Sequence, residues 1–404
     1  MEAAGQQRIV RAEDVAHMGL TEVLRHALYI HSQYRALVSA IKRDPPSLAI
    51  LIDFPDVNFR LAKHLRRLGV PVLWFVSPQL WAWKRRRLRW VRKRVSKMLV
   101  IFPFEEPFYR NRGVDATFVG HPLATLPPPT ISREKYAKNA SALHQDQWNC
   151  AEQAMQSNPL PDWAFYKSMQ GIRYELDTSK KWIALLPGSR ASEVRANLWG
   201  MVEMAILLGN QYEYLVPVAP TIGQETLDTM QAETGEQLDG PEPPRITFVR
   251  DARAALHFSR ASIVASGTAT VQALTVGNPF IVVYRVSPLT YAILKRLIRY
   301  PAEVPAQPGA DGNLPIAMPN LIAGRRIVPE LLNHRFTAAN LAAALRPLLE
   351  DSPARGEMIA DLAEARARPL PAPDSNPIQR VCDAAQDLLQ SAPARIAQNP
   401  LRNV

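Results

Sequence analysis

A short apolar run that ends in a carboxylate is the first candidate for catalysis. The residues from Leu48 onward are typical of a strand that ends at Asp53, and a proline-containing turn with Asp56 precedes a helical pattern. In open α/β sheets ligands bind at the carboxyl ends of the strands, so Asp53 is expected to point into a crevice. A carboxylate there can accept a proton from an attacking hydroxyl group. Capping of the next helix by Asp53 or Asp56 explains the same pattern equally well.

Two glycine-containing turns are candidates for binding an anion. Each follows an apolar run and precedes a helical pattern, and the unpaired N–H groups at such a helix start attract phosphate. Arginine in the first turn adds a planar set of donors suited to a diphosphate, and hydroxyl groups in the second suit phosphate and ribose. The turn residues are Gly188, Ser189, Arg190 and Glu193 in the first, and Ser266, Gly267, Thr268, Thr270 and Gln272 in the second. A connecting loop or a helix cap explains either turn singly, whereas two such turns in one sheet form a better nucleotide site.

The run from Trp81 to Lys97 contains nine cations and no acidic residue. Tryptophans and aliphatic residues alternate with the cations, a composition that suits contact with an anionic membrane surface. The candidate contact residues are Trp81, Trp83, Arg85, Arg86, Arg87 and Trp90. The run could equally follow a nucleic-acid backbone, or form a solvated helix with Trp81 and Trp83 in the core. Nucleic acid is the least favoured partner, because no recognisable binding module accompanies the run.

Length and composition indicate two ordinary globular domains. A chain of 404 residues with 47% apolar and 21% charged residues can bury two cores. The only two cysteines, Cys150 and Cys382, are too far apart to suggest a zinc site or a disulfide framework, which fits a reducing cytoplasm. We expect neither a membrane span nor export, since no apolar run is long enough and the N-terminus is acidic. The net charge of +11 should attract polyanions.

The elements that must position these residues alternate between strands and helices in both halves of the chain, which predicts parallel sheets built from βαβ units. Four strands are expected before residue 120 and five between residues 182 and 284. The predicted strands are Leu48–Asp53, Val72–Val76, Met98–Phe102, Thr117–Val119, Trp182–Leu186, Tyr214–Val218, Ile246–Val249, Ser262–Ala265 and Phe280–Tyr284. The predicted boundaries are a domain over 1–125, a linker with an insertion over 126–180, a domain over 181–352 and a helical tail over 353–404.

The order of the motifs resembles that of lipid-A-disaccharide synthases. The matching segments include IDFPDVNF, VSPQLWAWK, FPFEEPFY, FVGHPLA, LLPGSRASEV, ASGTATVQAL and MPNLIAGRR. The resemblance extends from Met1 to about Leu349 and is interrupted near 134–175. It implies the GT-B fold, in which two Rossmann-like domains with doubly wound parallel sheets face each other across a cleft. The first domain would bind the acceptor and face the membrane, the second would bind a UDP-sugar, and the final helix would return to the first domain.

The resemblance also implies a reaction and its partners. Members of the family join UDP-2,3-diacylglucosamine to 2,3-diacylglucosamine 1-phosphate with inversion at the anomeric carbon, and they form the β-1,6 disaccharide of lipid A and UDP. They act without a metal ion or other cofactor, as peripheral proteins on the cytoplasmic, anionic face of the inner membrane; a homodimer is possible.

By matching motif, Asp53 would be the base on the acceptor 6-hydroxyl group. Ser189, Arg190 and Glu193 would contact the donor. The residues expected to complete the UDP site are Ser266, Gly267, Thr268, Thr270, Tyr284, Arg285 and Asn320.

The sequence departs from the family pattern at two places. Gln272 occupies a position where the family has Glu, so an amide would meet the ribose and weaker UDP binding is expected. The segment around Met1 resembles the interior of the first domain in the family, so we expect the opening strand and Gly-rich turn to be missing and the start codon to lie upstream. The alternatives are a truncated, non-catalytic UDP-binding relative at the membrane surface, or another GT-B enzyme such as a UDP-GlcNAc epimerase.

Overall fold

The computed structural model describes residues 5, 9–10, 20–140, 176–238, 241–286, 299–309, 312–372 and 375–397, without the side chains of 20–28 and 392–397. The insertion predicted near 134–175 falls outside these residues from 141 onward, as does most of the segment before residue 20. None of the helices in the described ranges combines the length and the apolar composition of a membrane span.

Ten strands and twelve α-helices make up the described part of the chain. The strands are β1 Ala49–Ile52, β2 Val72–Phe75, β3 Lys97–Val100, β4 Ala116–Phe118, β5 Lys181–Leu186, β6 Tyr212–Pro217, β7 Arg245–Val249, β8 Ala261–Ala265, β9 Phe280–Tyr284 and β10 Glu330–Leu332. The helices are α1 Leu20–Arg43, α2 Pro55–Arg67, α3 Leu88–Arg94, α4 Glu105–Arg110, α5 Ala191–Leu208, α6 Gln224–Gln237, α7 Ala252–Phe258, α8 Thr268–Val276, α9 Met318–Ala323, α10 Ala338–Leu349, α11 Pro353–Arg366 and α12 Pro377–Ala397. All nine predicted strands are present, with ends shifted by one or two residues in most of them.

The strands form two separate parallel sheets. The first has the order β1-β2-β3-β4, and the second has the order β10-β9-β8-β5-β6-β7. Central strands such as β2, β5 and β8 are mostly apolar and almost wholly buried, as expected when helices cover both faces of a parallel sheet. Strand β10 was not predicted, since its three residues Glu330–Leu332 carry no apolar run long enough to indicate a strand.

Contacts between the two halves involve the segment around residue 300. The Glu303 carboxylate pairs with the Arg112 guanidinium at 2.9 Å and accepts a hydrogen bond from the Asn111 amide at 3.0 Å. The bonds from Arg112, ahead of the one from Asn111, lower the pKa of Glu303 to about 2. The ring of Trp81 lies 5.5 Å from that of Tyr300. Loops of the first half therefore contact the second half through an ion pair and an aromatic pair.

The C-terminal tail also contacts the first half. The backbone N–H of His121, just after β4, donates to the Pro369 carbonyl at 2.8 Å. Arg380 in α12 donates to the Phe118 carbonyl at the end of β4. The tail thus leaves the second sheet and ends against the first.

Glu105 is a fully buried carboxylate at the start of α4. One of its oxygens accepts hydrogen bonds from Ser77 Oγ at 2.6 Å and Trp81 Nε1 at 3.1 Å. The other accepts from the backbone N–H groups of Ile101 and Phe102. Burial raises the pKa of Glu105 to about 7, against the opposing effect of these four bonds.

This raised pKa predicts a pH-dependent stability. Because the folded protein holds the Glu105 proton more tightly than the unfolded chain does, the stabilisation is complete below about pH 4.5 and is lost as the pH rises through about 7. The loss is on the order of 3 kcal/mol in the free energy of unfolding. The measurement is urea unfolding followed by tryptophan fluorescence at about pH 5 and about pH 8 for wild type and Glu105→Gln, which cannot ionise. Equal losses in the two proteins would contradict the prediction.

Candidate functional site

A cavity of about 650 Å³ lies at the carboxyl ends of five parallel strands, β5 to β9. This is the edge of an open α/β sheet at which ligands bind. Nine of the twelve residues predicted to bind the donor line the cavity: Gly188, Ser189, Arg190, Glu193, Ser266, Gly267, Thr268, Gln272 and Tyr284. The two predicted turns therefore meet at one site.

The glycine-containing turn after β5 is stabilised by Glu193, which lies near the start of α5. Its carboxylate accepts a hydrogen bond from the Ser189 N–H at 3.1 Å and pairs with Arg190 Nη1 at 2.9 Å. Gly188 has a φ of 137°, and a Cβ atom there would lie only 2.6 Å from the Glu193 Cβ. The turn therefore requires glycine at position 188 and is stabilised by the bonds to Glu193. The Arg190 side chain remains 75% exposed at the cavity.

The second turn presents the start of α8 to the same cavity. The first N–H groups of a helix have no partner within it, and at α8 no side chain caps them, although the Thr270 N–H is bound to the Gly267 carbonyl at 3.1 Å. The N–H of Ser266 is bound to the Val283 carbonyl at 2.8 Å, which fixes the turn against β9. Thr268 is exposed beside it. An uncapped helix start of this kind attracts a phosphate group.

Three predicted residues do not line the cavity. Asn320 is fully buried, and its amide bonds the backbone N–H groups of Ile327 and Val328 and the Glu330 carboxylate. The hydrogen-bonding groups of its amide are used to hold the segment that leads into β10. The prediction that Asn320 completes the UDP site is therefore wrong in this structure.

The other two also have partners within the fold. Arg285 donates to the backbone carbonyls of Ala196 and Phe336 and stacks on the Phe336 ring. Thr270 is buried, and its hydroxyl donates to the Gly267 carbonyl at 2.7 Å. Thr270 stabilises the turn, and Arg285 ties β9 to α5.

The cavity also contains residues that the sequence analysis did not select. Arg250 and Asp251 follow β7 and line the wall, and Gln224 and Gln231 on α6 line another part. The same rule that selected the ends of β5 and β8 applies to β7 and could have identified the first pair. The Thr221 hydroxyl donates to the Ser189 carbonyl at 2.6 Å and joins the loop after β6 to the first turn.

Asp53 lies at the carboxyl end of β1, with an exposed side chain. It is not among the residues that line the 650 Å³ cavity. Asp53 and Phe54 both have a φ of 43°, in the left-handed region that non-glycine residues rarely adopt. The buried Asn58 amide donates to the carbonyls of Ile52 at 3.1 Å and Asp53 at 2.7 Å. Strained backbone of this kind concentrates at functional sites. The Asn58 amide holds the turn that contains Asp53, and the sequence analysis did not select this residue.

The tryptophans of the basic run differ in their surroundings. Trp81 is 1% exposed and packs on Phe104, so its predicted membrane contact is wrong: the indole N–H needs the Glu105 carboxylate as a buried acceptor. Trp83 is 44% exposed, with Lys84 Nζ 4.0 Å from its ring centre. Trp90 is half-buried.

The arginines of the run lie mostly at the surface. Arg85 and Arg86 are exposed, and Arg87 pairs with Asp56 at 2.8 Å. The exposed part of the run is therefore cationic, with Trp83 exposed and Trp90 half-buried.

Comparison with known proteins decides the family. A family model described as lipid-A-disaccharide synthetase matches residues 1–150 and 159–367. The lipid-A-disaccharide synthase of Acidobacterium capsulatum is 48% identical over 396 residues, which are 96% of this chain and 87% of that protein. The chain belongs to the lipid-A-disaccharide synthase family. It is accordingly a glycosyltransferase of lipid A biosynthesis, as the motif order indicated.

Two solved structures support the fold of this family member. A putative UDP-N-acetylglucosamine 2-epimerase from Listeria monocytogenes aligns with a TM-score of 0.51 over 95% of this chain and 83% of its own, at 12% identity. The glycosyltransferase of kitacinnamycin aligns with a TM-score of 0.50 over 96% of this chain and 87% of its own, also at 12% identity. At these identities the likeness concerns the fold alone. Together with the two parallel sheets, it confirms the GT-B prediction.

Proposed function

We propose that this synthase transfers 2,3-diacylglucosamine from UDP to the 6-hydroxyl group of 2,3-diacylglucosamine 1-phosphate, with inversion at the anomeric carbon. The observation that carries the proposal is the cavity in which Arg190 and the uncapped start of α8 lie on the two turns of one sheet edge. A diphosphate placed there would meet a guanidinium and backbone N–H donors together. S. aureus MnaA, a structural neighbour at 11% identity, was solved with UDP bound, which supports UDP as the nucleotide in this proposal.

The two halves of the protein divide the chemistry of the transfer. In the first domain, Asp53 takes the proton of the acceptor hydroxyl group as that oxygen attacks the anomeric carbon. In the second, the bond from the anomeric carbon to the diphosphate oxygen breaks, and UDP leaves with the electron pair. Arg190 and the N–H groups at Thr268 then stabilise the charge on the leaving oxygen, which is the electrostatic role of a preorganised site.

We also propose that the protein itself neutralises this charge and that no metal ion takes part. The donors at the cavity are a guanidinium and helix N–H groups, which can stabilise developing negative charge. Gln272 lines the same cavity and would bind the ribose through its amide. Activity that is unchanged in excess EDTA is the expected result, and loss of activity that Mg²⁺ restores would reject this part of the proposal.

The location that we propose is the cytoplasmic, anionic face of the inner membrane. The exposed cations Arg85 and Arg86, with Trp83 beside them, form a surface suited to anionic headgroups. The acylated substrates would be reached at that surface. This proposal concerns peripheral contact only.

The deciding experiment supplies the chain with both acylated sugars and follows disaccharide formation and UDP release. The expected result is one UDP for each β-1,6 disaccharide, with no product when the acceptor is omitted. Conversion of free UDP-GlcNAc without an acceptor would instead indicate an epimerase, an activity that a structural neighbour is named for. UDP binding without any turnover would indicate a non-catalytic relative.

A further inference from the structure

A second cavity, of about 460 Å³, lies in the first domain between α1, α2 and α3. Four cationic side chains line it: Arg60 and Lys63 from α2, and Arg87 and Arg94 from the basic run. Among the described residues, Asp56 is the only carboxylate on its wall. The excess positive charge is therefore collected in a concave site rather than spread over an open surface.

The cations at this site are only partly neutralised. Arg87 pairs with Asp56 at 2.8 Å, and Arg94 Nη1 donates to the Phe59 carbonyl at 2.9 Å. Arg60 and Lys63 form no ion pair with any residue in the described part of the chain. An anion entering the cavity would thus find two cations that have no carboxylate partner, beside two that are held in place.

The positive charge around the cavity also affects the pKa of His64. Burial, followed by the nearby charges of Lys42, Arg67 and Lys63, lowers the pKa of His64, which lines the cavity. A neutral imidazole at neutral pH can donate one hydrogen bond without adding to the charge. His64 can therefore donate a hydrogen bond to a ligand, and the positive charge around it favours an anionic ligand.

Aromatic rings lie beside two of the cations. The Arg94 guanidinium lies 5.2 Å from the centre of the Trp90 ring, and that of Arg87 lies 5.6 Å from Phe59 and 5.7 Å from Trp90. A guanidinium group offers a planar pair of donors that suits recognition of phosphate. The rings also provide apolar surface beside the charge. The site combines the features expected for an anionic group on an amphipathic molecule.

We propose that this cavity binds a phosphate monoester, carried either by the sugar acceptor or by a lipid headgroup. The four cations against one carboxylate suit the dianionic charge of a monoester better than the single charge of a diester. The acceptor source rests on the proposed function. It is favoured by the position of the cavity, because α2 begins two residues after Asp53 and Arg60 lies about 6 Å along the helix axis from Asp56.

The test measures binding by the full chain without a donor sugar, so it does not depend on turnover. The soluble probe is glucosamine 1-phosphate, and the lipid probes are phosphatidylcholine vesicles containing phosphatidic acid or phosphatidylglycerol. The site variant is Arg60→Gln with Lys63→Gln. The matched control is Arg66→Gln with Lys93→Gln, which removes the same charge from α2 and α3 outside the cavity.

We expect the site variant to weaken binding at least about tenfold more than the control does. This loss with glucosamine 1-phosphate supports the acceptor as the source, and the same loss with phosphatidic acid vesicles alone supports a lipid headgroup. Equal effects of the two double variants on both probes would overturn the proposal, as would equal binding to phosphatidylglycerol and phosphatidic acid. UDP affinity, measured on each variant, shows that the fold is intact. If the variants differ in phosphate binding as expected while the wild-type protein forms no disaccharide, the proposed function fails and the phosphate site stands.

Discussion

Replacement of Asp53 by Asn is expected to lower kcat by about 10² to 10⁴, the range that a general base contributes. The amide has the size of the carboxylate but cannot accept the proton of the acceptor hydroxyl group. Because Asp53 lies in the first domain and the cavity in the second, UDP affinity should stay at the wild-type value. Steady-state kinetics with both sugars and calorimetric titration with UDP measure the two quantities.

The comparison variants for this prediction test the alternatives. Asp115→Asn removes an exposed carboxylate that pairs with Lys97 at the amino ends of β3 and β4, opposite the carboxyl ends at which Asp53 lies, and it should retain full activity. Asp56→Asn should lower kcat far less than Asp53→Asn, since Asp56 is paired with Arg87. A larger loss of kcat in the Asp56 variant would identify that residue as the base and reject the assignment of Asp53.

Replacement of Arg190 by Ala is expected to lower kcat by about 10² to 10³, comparable to the removal of a preorganised donor to a developing anion. Its side chain is 75% exposed and has one ion-pair partner within its own turn, so loss of folding stability should be small. The UDP affinity should fall as well. Arg190→Lys keeps the charge but loses the planar pair of donors, and it should recover only part of the rate.

Arg195→Ala is the matched control, because this exposed arginine lies on the same helix and does not line the 650 Å³ cavity. It should leave kcat and UDP affinity unchanged. Single-turnover kinetics separate the transfer step from UDP release. If Arg190→Ala slows only release, the guanidinium does not stabilise the transition state and its proposed role is wrong.

The strands and the turns were predictable because their signals are local. Short apolar runs that alternate with helical patterns predicted nine of the ten described strands, and the turns after β5 and β8 predicted eight of the 24 residues that line the cavity. Parallel strands place their carboxyl ends at one edge, so the position in the sequence was enough to bring the turns together.

The remaining roles depend on tertiary contacts that a local pattern does not contain. Asn320 looks like a ligand in its motif, yet its partners are backbone groups and Glu330 on an unpredicted strand. The residues around Trp81 have a composition typical of a membrane contact. Its indole N–H nevertheless donates to Glu105, which is 24 residues away in the chain. For both residues the motif predicted the wrong surroundings, because their hydrogen-bond partners are not part of the motif.

The position of Trp81 determines how the enzyme would sit on a bilayer. This residue opens the basic run, and its ring contacts Phe104 of the first domain and Tyr300 of the second. The cationic strip is therefore anchored at the junction of the two halves and cannot swing as a free arm. If the protein binds the membrane through the basic run, as proposed, adsorption would therefore fix the orientation of both domains relative to the lipid plane.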